Sequence, residues 1–399
     1  MTPDLATSSH LFLKTLTRLP PETKRPRMQF VPDACIGRRS ALIVFFALLL
    51  SISSAQAIIF YSTGDANYNT TAPSGTLTNS GWQYEGTWGG FLGTAIAQRY
   101  FITAEHVGGQ VGDPLVFRGV AYPTIAVHDD PDSDLRIWRI CGTFPDYAPI
   151  YTNTNEVGQS CVVIGRGTQR AAPVTTSNIL GNVKTNGWRW GALDGVQRWG
   201  VNVVADFVNG DGILGSGPIG MVLKAAFDDN GGTNECHLST GDSGGAMFIK
   251  DGAIWKLAGI NLAVDGPYNT TNTGSGFDAA IFNERGLYTT NSIIGGWDPV
   301  PDVGSAQPGA FYCTRVSAHV SWINSVISAS VAADPPILQS STSSADGYAD
   351  ELRAAVDDTS KTITVALPAG SRFYRLRACD PLTIKSVQVQ SGNLVLMYQ

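Results

Sequence analysis

Charge is scarce along this chain, and the balance leans acidic. Lys, Arg, Asp and Glu make up 15% of its 399 residues and leave a net charge of −6. So sparse and negative a composition lacks the basic footprint needed to hold nucleic acid or an anionic membrane surface. Cysteine is also rare, with six in all. No two of them form a C-x-x-C pair, and no His/Cys cluster suggests a structural metal, so neither a metal nor a cofactor is expected. Long apolar runs are missing as well. The stretch from Ala41 to Leu50 is the main one and is too short to span a bilayer comfortably. Glycine, Thr, Asn and aromatics are plentiful instead, the composition of many short strands joined by turns.

That apolar run follows a basic, irregular leader and precedes Ser51-Ile52-Ser53-Ser54 and Ala55-Gln56-Ala57. Basic flank, short apolar core and A-x-A site read as a secretory signal peptide over residues 1–57, with Met28 as a start that gives a more usual length. An uncleaved membrane anchor is the other reading. Cleavage after Ala57 leaves 342 residues and a net charge of −10, in a secreted or periplasmic protein without a stable membrane span. Five cysteines then remain: Cys141, Cys161, Cys236, Cys313 and Cys379. Export favours pairing among them, and the odd count leaves one over, for which Cys379 is the candidate.

The rest of the chain is organised around Gly241-Asp242-Ser243-Gly244-Gly245. A serine hydroxyl is a weak nucleophile that needs a base for its proton and donors for the oxyanion it creates. Glycine at 241 lets the backbone turn so that the amides of Gly241 and Ser243 converge, while Gly244 and Gly245 leave room for a substrate. An ordinary glycine-rich loop could carry the same letters. The base must come from His10, His106, His128, His237 or His319. His106 stands out, because it ends the strand-like run Tyr100-Phe101-Ile102-Thr103-Ala104-Glu105 just before Gly108-Gly109. A carboxylate should fix its tautomer. Asp134 heads the alternating run Leu135-Arg136-Ile137-Trp138-Arg139-Ile140, which places it at the mouth of a half-buried strand. Asp129, Asp130 and Asp132 nearby read as solvated caps of the turn at Pro131, with a weak cation site as the alternative.

T-A-E-H at Thr103 to His106, D-L-R-I at Asp134 to Ile137 and G-D-S-G-G resemble, in that order, the three catalytic motifs of trypsin-like serine proteases. Gly165-Arg166-Gly167-Thr168, Leu257-Ala258-Gly259-Ile260, and Pro308-Gly309-Ala310-Phe311-Tyr312 with Val320-Ser321-Trp322-Ile323 resemble later segments of the family. The resemblance covers residues 58–330 and implies an all-β protein: two six-stranded antiparallel barrels of the chymotrypsin type and a C-terminal helix. It implies His106 as base, Asp134 as its orienting partner, Ser243 as nucleophile, and the amides of Gly241 and Ser243 as oxyanion donors. Val107 replaces a cysteine common in animal relatives, which points to a bacterial exported type whose His loop is held by packing alone.

The resemblance places His237 at the floor of the specificity pocket and Leu262, with Val264, on its wall. There His237 favours acidic or neutral polar side chains over Lys or Arg, or else it is a structural residue beside Cys236. Ile58 and Asp242 correspond to the freed terminus and its ion-pair partner in animal trypsins, although Ile58-Ile59-Phe60 lacks the two glycines that usually follow. Residues 171–234 are longer than a minimal protease needs, and Trp188, Trp190 and Trp199 there read as core of the second barrel. Residues 266–307 form a Gly, Asn and Thr-rich insertion, either a lid or a mobile surface loop. The protease region is expected over 58–332, a linker over 333–350, and a small β-rich module over 351–399 for a surface, substrate or matrix partner. The function that follows is an exported serine endopeptidase acting on protein or peptide. Its rival is an inactive protease-like binding or adhesion protein.

Overall fold

The computed structural model describes residues 10–11, 58–177, 180–212, 217–291, 295–329, 335–379 and 382–399. Its contacts divide the chain into one unit of residues 54–332 and another of residues 1–53 and 333–399. No helix among the described residues is long and apolar enough to cross a membrane. The signal-peptide reading falls almost wholly outside the described residues.

The larger unit opens with β1 (Ile59–Phe60) and continues into β2 (Glu85–Trp88), β3 (Phe91–Ala97), β4 (Tyr100–Ala104), β5 (Pro114–Phe117), β6 (Val120–Asp129) and β7 (Leu135–Ile140). These last six close into an antiparallel barrel in the order β2-β3-β4-β7-β6-β5. Then come β8 (Ser160–Gly165), the hairpin β9 (Thr168–Ser177) and β10 (Val183–Leu193), β11 (Arg198–Asn209), β12 (Met221–Ala226), β13 (Cys236–His237), β14 (Ala246–Asp251), β15 (Ile254–Val264), β16 (Ala279–Ile281), β17 (Ala310–Arg315) and the helix α1 (Val320–Ile327). A second closed barrel runs β11-β12-β17-β15-β14-β8. Two closed six-stranded antiparallel barrels and a short C-terminal helix are the chymotrypsin fold.

The reason the barrels sit together is written in β4. All five of its residues are buried, which an alternating strand achieves only when both faces meet protein. Phe101 joins Trp88, Leu115, Phe117 and Trp138 inside the first barrel. Ile102 and Ala104, on the other face, join a cluster shared with Val162, Ile164, Phe248 and Ile260 of the second barrel and Ile323 of α1. The run from Tyr100 to Ala104 therefore ends at the seam between barrels, and whatever follows it emerges there.

Several local expectations need correction. Trp199 lies in a barrel strand, but Trp188 and Trp190 belong to the β9–β10 hairpin, which pairs with β16 in a separate three-stranded sheet. Residues 266–307 are not a bare loop. They contribute β16 and three further short strands, and Tyr268, Ala279, Ile281 and Leu287 form a small core with Val174. Enough apolar side chains were spread through the glycine-rich stretch to fold it. Cys379 is disulfide-bonded, as is Cys141, whereas Cys161, Cys236 and Cys313 are free thiols buried in the second barrel.

In the smaller unit, Leu338, Ile363, Val365, Tyr374, Leu376, Leu394, Leu396 and Tyr398 make one core. The supposed linker contains a strand of that unit, Ile337–Ser341, paired with Phe373–Arg377. Its serines tolerate burial because Ser340 donates to Glu351 Oε2 at 3.0 Å and Ser341 to the Asp346 carbonyl at 2.6 Å.

Candidate active site

Strands β4 and β7 are neighbours in register, with Ala104 opposite Leu135. That register puts the residues just beyond Ala104 beside the residue just before Leu135. The Glu105 amide donates to the Asp134 carbonyl at 2.7 Å, and the His106 amide donates to Asp134 Oδ1 at 3.0 Å. His106 Nδ1 lies 2.6 Å from Asp134 Oδ2. A carboxylate can only accept, so Nδ1 carries the proton in the neutral ring and the lone pair sits on Nε2. Asp134 is 8% exposed while the His106 side chain is 41% exposed. The carboxylate is shut in behind the ring, and the ring faces solvent.

The loop after His106 is held by more than packing. Trp88 Nε1 donates to the Gly108 carbonyl at 3.1 Å. Gly109 has φ +110°, and a Cβ there would come within 2.2 Å of Trp88 Cζ2, so only glycine lets the loop lie against the indole. Trp88 thus anchors the loop that follows His106.

The acidic neighbours of Asp134 divide differently from the expectation. Asp129 is an ion-pair partner of Arg136, whose guanidinium also reaches Glu105 Oε1 at 3.4 Å. Its bonds to Asp129 raise the Arg136 pKa. Asp130 is buried, not solvated: it accepts from Ser133 Oγ at 2.8 Å and pairs with His319 Nδ1 at 2.6 Å. These contacts tie the turn before Asp134 to the segment leading into α1. Asp132 is exposed, as is His128 on β6.

On the opposite side of the seam, the loop of Ser243 bends twice, with φ +90° at Gly241 and +76° at Gly244. A Cβ on Gly244 would lie 2.3 Å from Thr103 Oγ1 and 3.6 Å from the Ala104 amide nitrogen. The residue after Ser243 is therefore wedged against the end of β4, two positions ahead of His106. Within this loop the Asp242 amide donates to the Ser239 carbonyl, Gly244 to Asn261 and Gly245 to Asp242. Among the described residues, the amides of Gly241 and Ser243 donate to no protein acceptor. Two unengaged amides flanking one residue are the raw material of an oxyanion site.

Asn261 makes that pattern, and sequence reasoning missed it. It is fully buried on β15, where its Nδ2 donates to the Asp242 carbonyl at 3.0 Å and the Ile164 carbonyl at 2.9 Å. Its backbone amide donates to Gly245 at 2.8 Å and its carbonyl accepts from Gly244 at 3.0 Å. The Cys313 thiol reaches Asn261 Oδ1 at 3.3 Å and fixes the amide's orientation. The available signal was a lone Asn in the otherwise apolar run Leu257–Ala263.

Asp242 is buried as well. Its carboxylate accepts from the Gly167 amide at 2.7 Å, the Ser239 amide at 2.8 Å and Ser239 Oγ at 2.9 Å. The Ile58 backbone supplies a further hydrogen bond, yet burial dominates and pushes the carboxyl up to about 6. Ile58 is completely buried and has φ +57°, a strained conformation for a β-branched residue.

Of the three residues expected around a specificity pocket, Leu262 separates from the other two. His237 is buried on β13, opposite Ile59 of β1, with its ring between Phe227 at 5.4 Å and Phe311 at 5.6 Å. Nδ1 donates to the Leu238 carbonyl at 2.7 Å, Nε2 has no partner, and burial lowers the pKa. Val264 packs into the cluster that holds Phe311 and Leu238, so it borders the same ring as His237. Leu262 packs instead against a different cluster, with Val222 and Tyr312. A register shift between Asn261 and Ala263 accounts for the change of side.

No protein-family model matches the chain, and no curated protein does. Among solved structures, kallikrein-related peptidase 10 is similar at 14% identity, over 65% of this chain and 100% of that one, with a TM-score of 0.36. The passenger domain of plasmid encoded toxin, an autotransporter enterotoxin from enteroaggregative Escherichia coli, is similar at 12% identity and a TM-score of 0.33. That match covers 58% of this chain and 21% of the toxin chain.

Proposed function

We propose that the protein is an exported serine endopeptidase. The observation that carries the reading is the pairing of His106 Nδ1 with Asp134 at 2.6 Å beside a serine loop whose Gly241 and Ser243 amides are unengaged. In the proposed reaction Nε2 of His106 removes the Ser243 hydroxyl proton as Oγ attacks the scissile carbonyl. The tetrahedral oxyanion accepts from the two free amides, donors typically worth about 3 kcal/mol each. The imidazolium, stabilised by Asp134, then protonates the departing amine, and water repeats the sequence on the acyl-enzyme.

That His237 favours acidic or neutral polar side chains over Lys or Arg remains part of the proposal, although the ring is buried beside Phe311. The fully buried position also fits a structural role beside Phe227. Export rests on the leader read from residues 1–57 and on the disulfide-bonded Cys141 and Cys379.

The test is a fluorophosphonate probe on the chain and on its Ser243→Ala variant, read by intact mass. One adduct on the parent and none on the variant is expected. No adduct on a folded parent beginning at Ile58 would overturn the reading in favour of a protease-like binding protein.

A further inference from the structure

The Asp134 carboxylate accepts from the amide and the ring of His106 and, among the described residues, from nothing else. Bonded only to the ring it orients, it must take its own position from its backbone. That backbone is held through one peptide unit. The carbonyl of the Asp134–Leu135 peptide accepts from the Glu105 amide at 2.7 Å, and the N–H of the same peptide donates to Ser133 Oγ at 3.2 Å. Ser133 Oγ donates in turn to Asp130 Oδ2 at 2.8 Å, and that same oxygen lies 2.6 Å from His319 Nδ1. Three hydrogen bonds thus lead from the His319 ring, through Asp130 and Ser133, to the peptide that follows Asp134.

The far end of this relay is anchored in the core. His319 immediately precedes α1, and its carbonyl accepts from the amide of Ile323 at 2.9 Å. Ile323 is fully buried in the cluster shared by the two barrels. Gly220, just ahead of β12, packs on the third side. It has φ +66°, and a Cβ there would lie 2.7 Å from the Asp132 carbonyl oxygen and 3.5 Å from His319 Nε2. Asp130, Ser133 and His319 are all buried, so little water competes for these bonds, and breaking one strands its partner.

We infer that His319 is a positioning residue for His106, acting through Asp130, Ser133 and Asp134. Its effect on catalysis rests on the endopeptidase reading; the coupling between the two histidines does not. A small shift of the Asp134 backbone disturbs both bonds to His106 at once, and a misplacement of about 1 Å can cost up to about 100-fold in rate.

The experiment compares the full chain with its His319→Leu, His319→Asn and Ser133→Ala variants, each checked by thermal melting. Leucine removes the donor to Asp130, whereas asparagine keeps an N–H close to the place of Nδ1. Ser133→Ala deletes the middle of the relay with little change in volume, and it carries the test if His319→Leu does not fold. None of these substitutions alters Arg136, Glu105 or Asp129, the other charged groups at these strand ends. The first readout is the NMR titration midpoint of the His106 ring, which does not require Ser243 to react. A nearby carboxylate favours the imidazolium, so displacing Asp134 should lower that midpoint by about one unit, a tenfold weaker hold, in His319→Leu and Ser133→Ala. Fluorophosphonate labelling should slow about 10-fold in the same two variants, and His319→Asn should restore both values. A lower melting temperature with an unchanged midpoint in His319→Leu and Ser133→Ala would reduce His319 to a structural tie and overturn the inference. A His319→Asn variant no better than His319→Leu would assign the effect to ring packing and overturn the relay. If the midpoint responds while the parent takes no fluorophosphonate, the protease reading fails and the positioning of His106 stands.

Discussion

Keeping one residue ahead of Ile58 should leave the protein less stable at neutral pH than the same chain beginning at Ile58. In the continuous chain the Asp242 carboxylate meets only neutral donors: the amides of Gly167, Ser239 and Ile58 and the Ser239 hydroxyl. Burial lifts its pKa from 3.8 to about 6. An acid with a raised folded pKa holds its proton more tightly when folded, so its contribution is complete below about pH 4 and is lost as pH rises through 6. At roughly 1.4 kcal/mol per unit of pKa difference, the loss reaches about 3 kcal/mol at pH 7. Cleavage before Ile58 turns the amide into an ammonium, which favours the carboxylate and restores that loss. It also abolishes the φ torsion of Ile58, now held at +57°, and so releases strain of about 1–3 kcal/mol at every pH. Urea denaturation of the two chains should therefore give a gap already present at pH 5, from the strain and about half of the carboxyl's loss, and one larger by about 1–1.5 kcal/mol at pH 7. Asp242→Asn should remove the pH-dependent part and leave the strain part. A gap that is equal at both pH values, or that is indifferent to Asp242→Asn, would refute the reasoning.

Two further expectations concern the frame around His106 and Ser243. Asn261→Leu strands the carbonyls of Asp242 and Ile164, and should cost about 2–4 kcal/mol in urea denaturation and slow fluorophosphonate labelling at least tenfold. Gly109→Ala forces a Cβ to within 2.2 Å of Trp88 at φ +110°, and should cost about 1–3 kcal/mol in thermal melts, whereas Trp88→Phe, which loses one hydrogen bond to Gly108, should cost about 1 kcal/mol.

What was legible in the sequence was local and ordered along the chain. His106 and Asp134 could be chosen because one ends an apolar strand-like run and the other heads an alternating one, and neighbouring strands bring their ends together once the register is set. Composition showed only many short strands joined by turns; the two barrels were expected from the resemblance of the ordered motifs. What escaped depends on pairings between residues far apart. Nothing near Trp88 reveals that its indole will hold Gly108, twenty positions on, because the cue is a glycine that matters only once the indole is beside it. Asp130 reads as a turn residue until His319, from beyond the second barrel, arrives to bury it. The insertion looked loose because glycine and asparagine dominate its letters, yet Tyr268, Ile281 and Leu287 find Val174 on a hairpin far earlier in the chain. Asn261 carries the sharpest lesson. An isolated amide in an apolar strand would ordinarily be a cost of burial, and here three of its bonds engage the Gly244 amide and the Asp242 and Gly245 carbonyls, with a fourth to the Ile164 carbonyl. By occupying those groups it leaves the amides of Gly241 and Ser243 as the loop's open donors, so the chemistry proposed for Ser243 depends on a side chain that never touches the substrate.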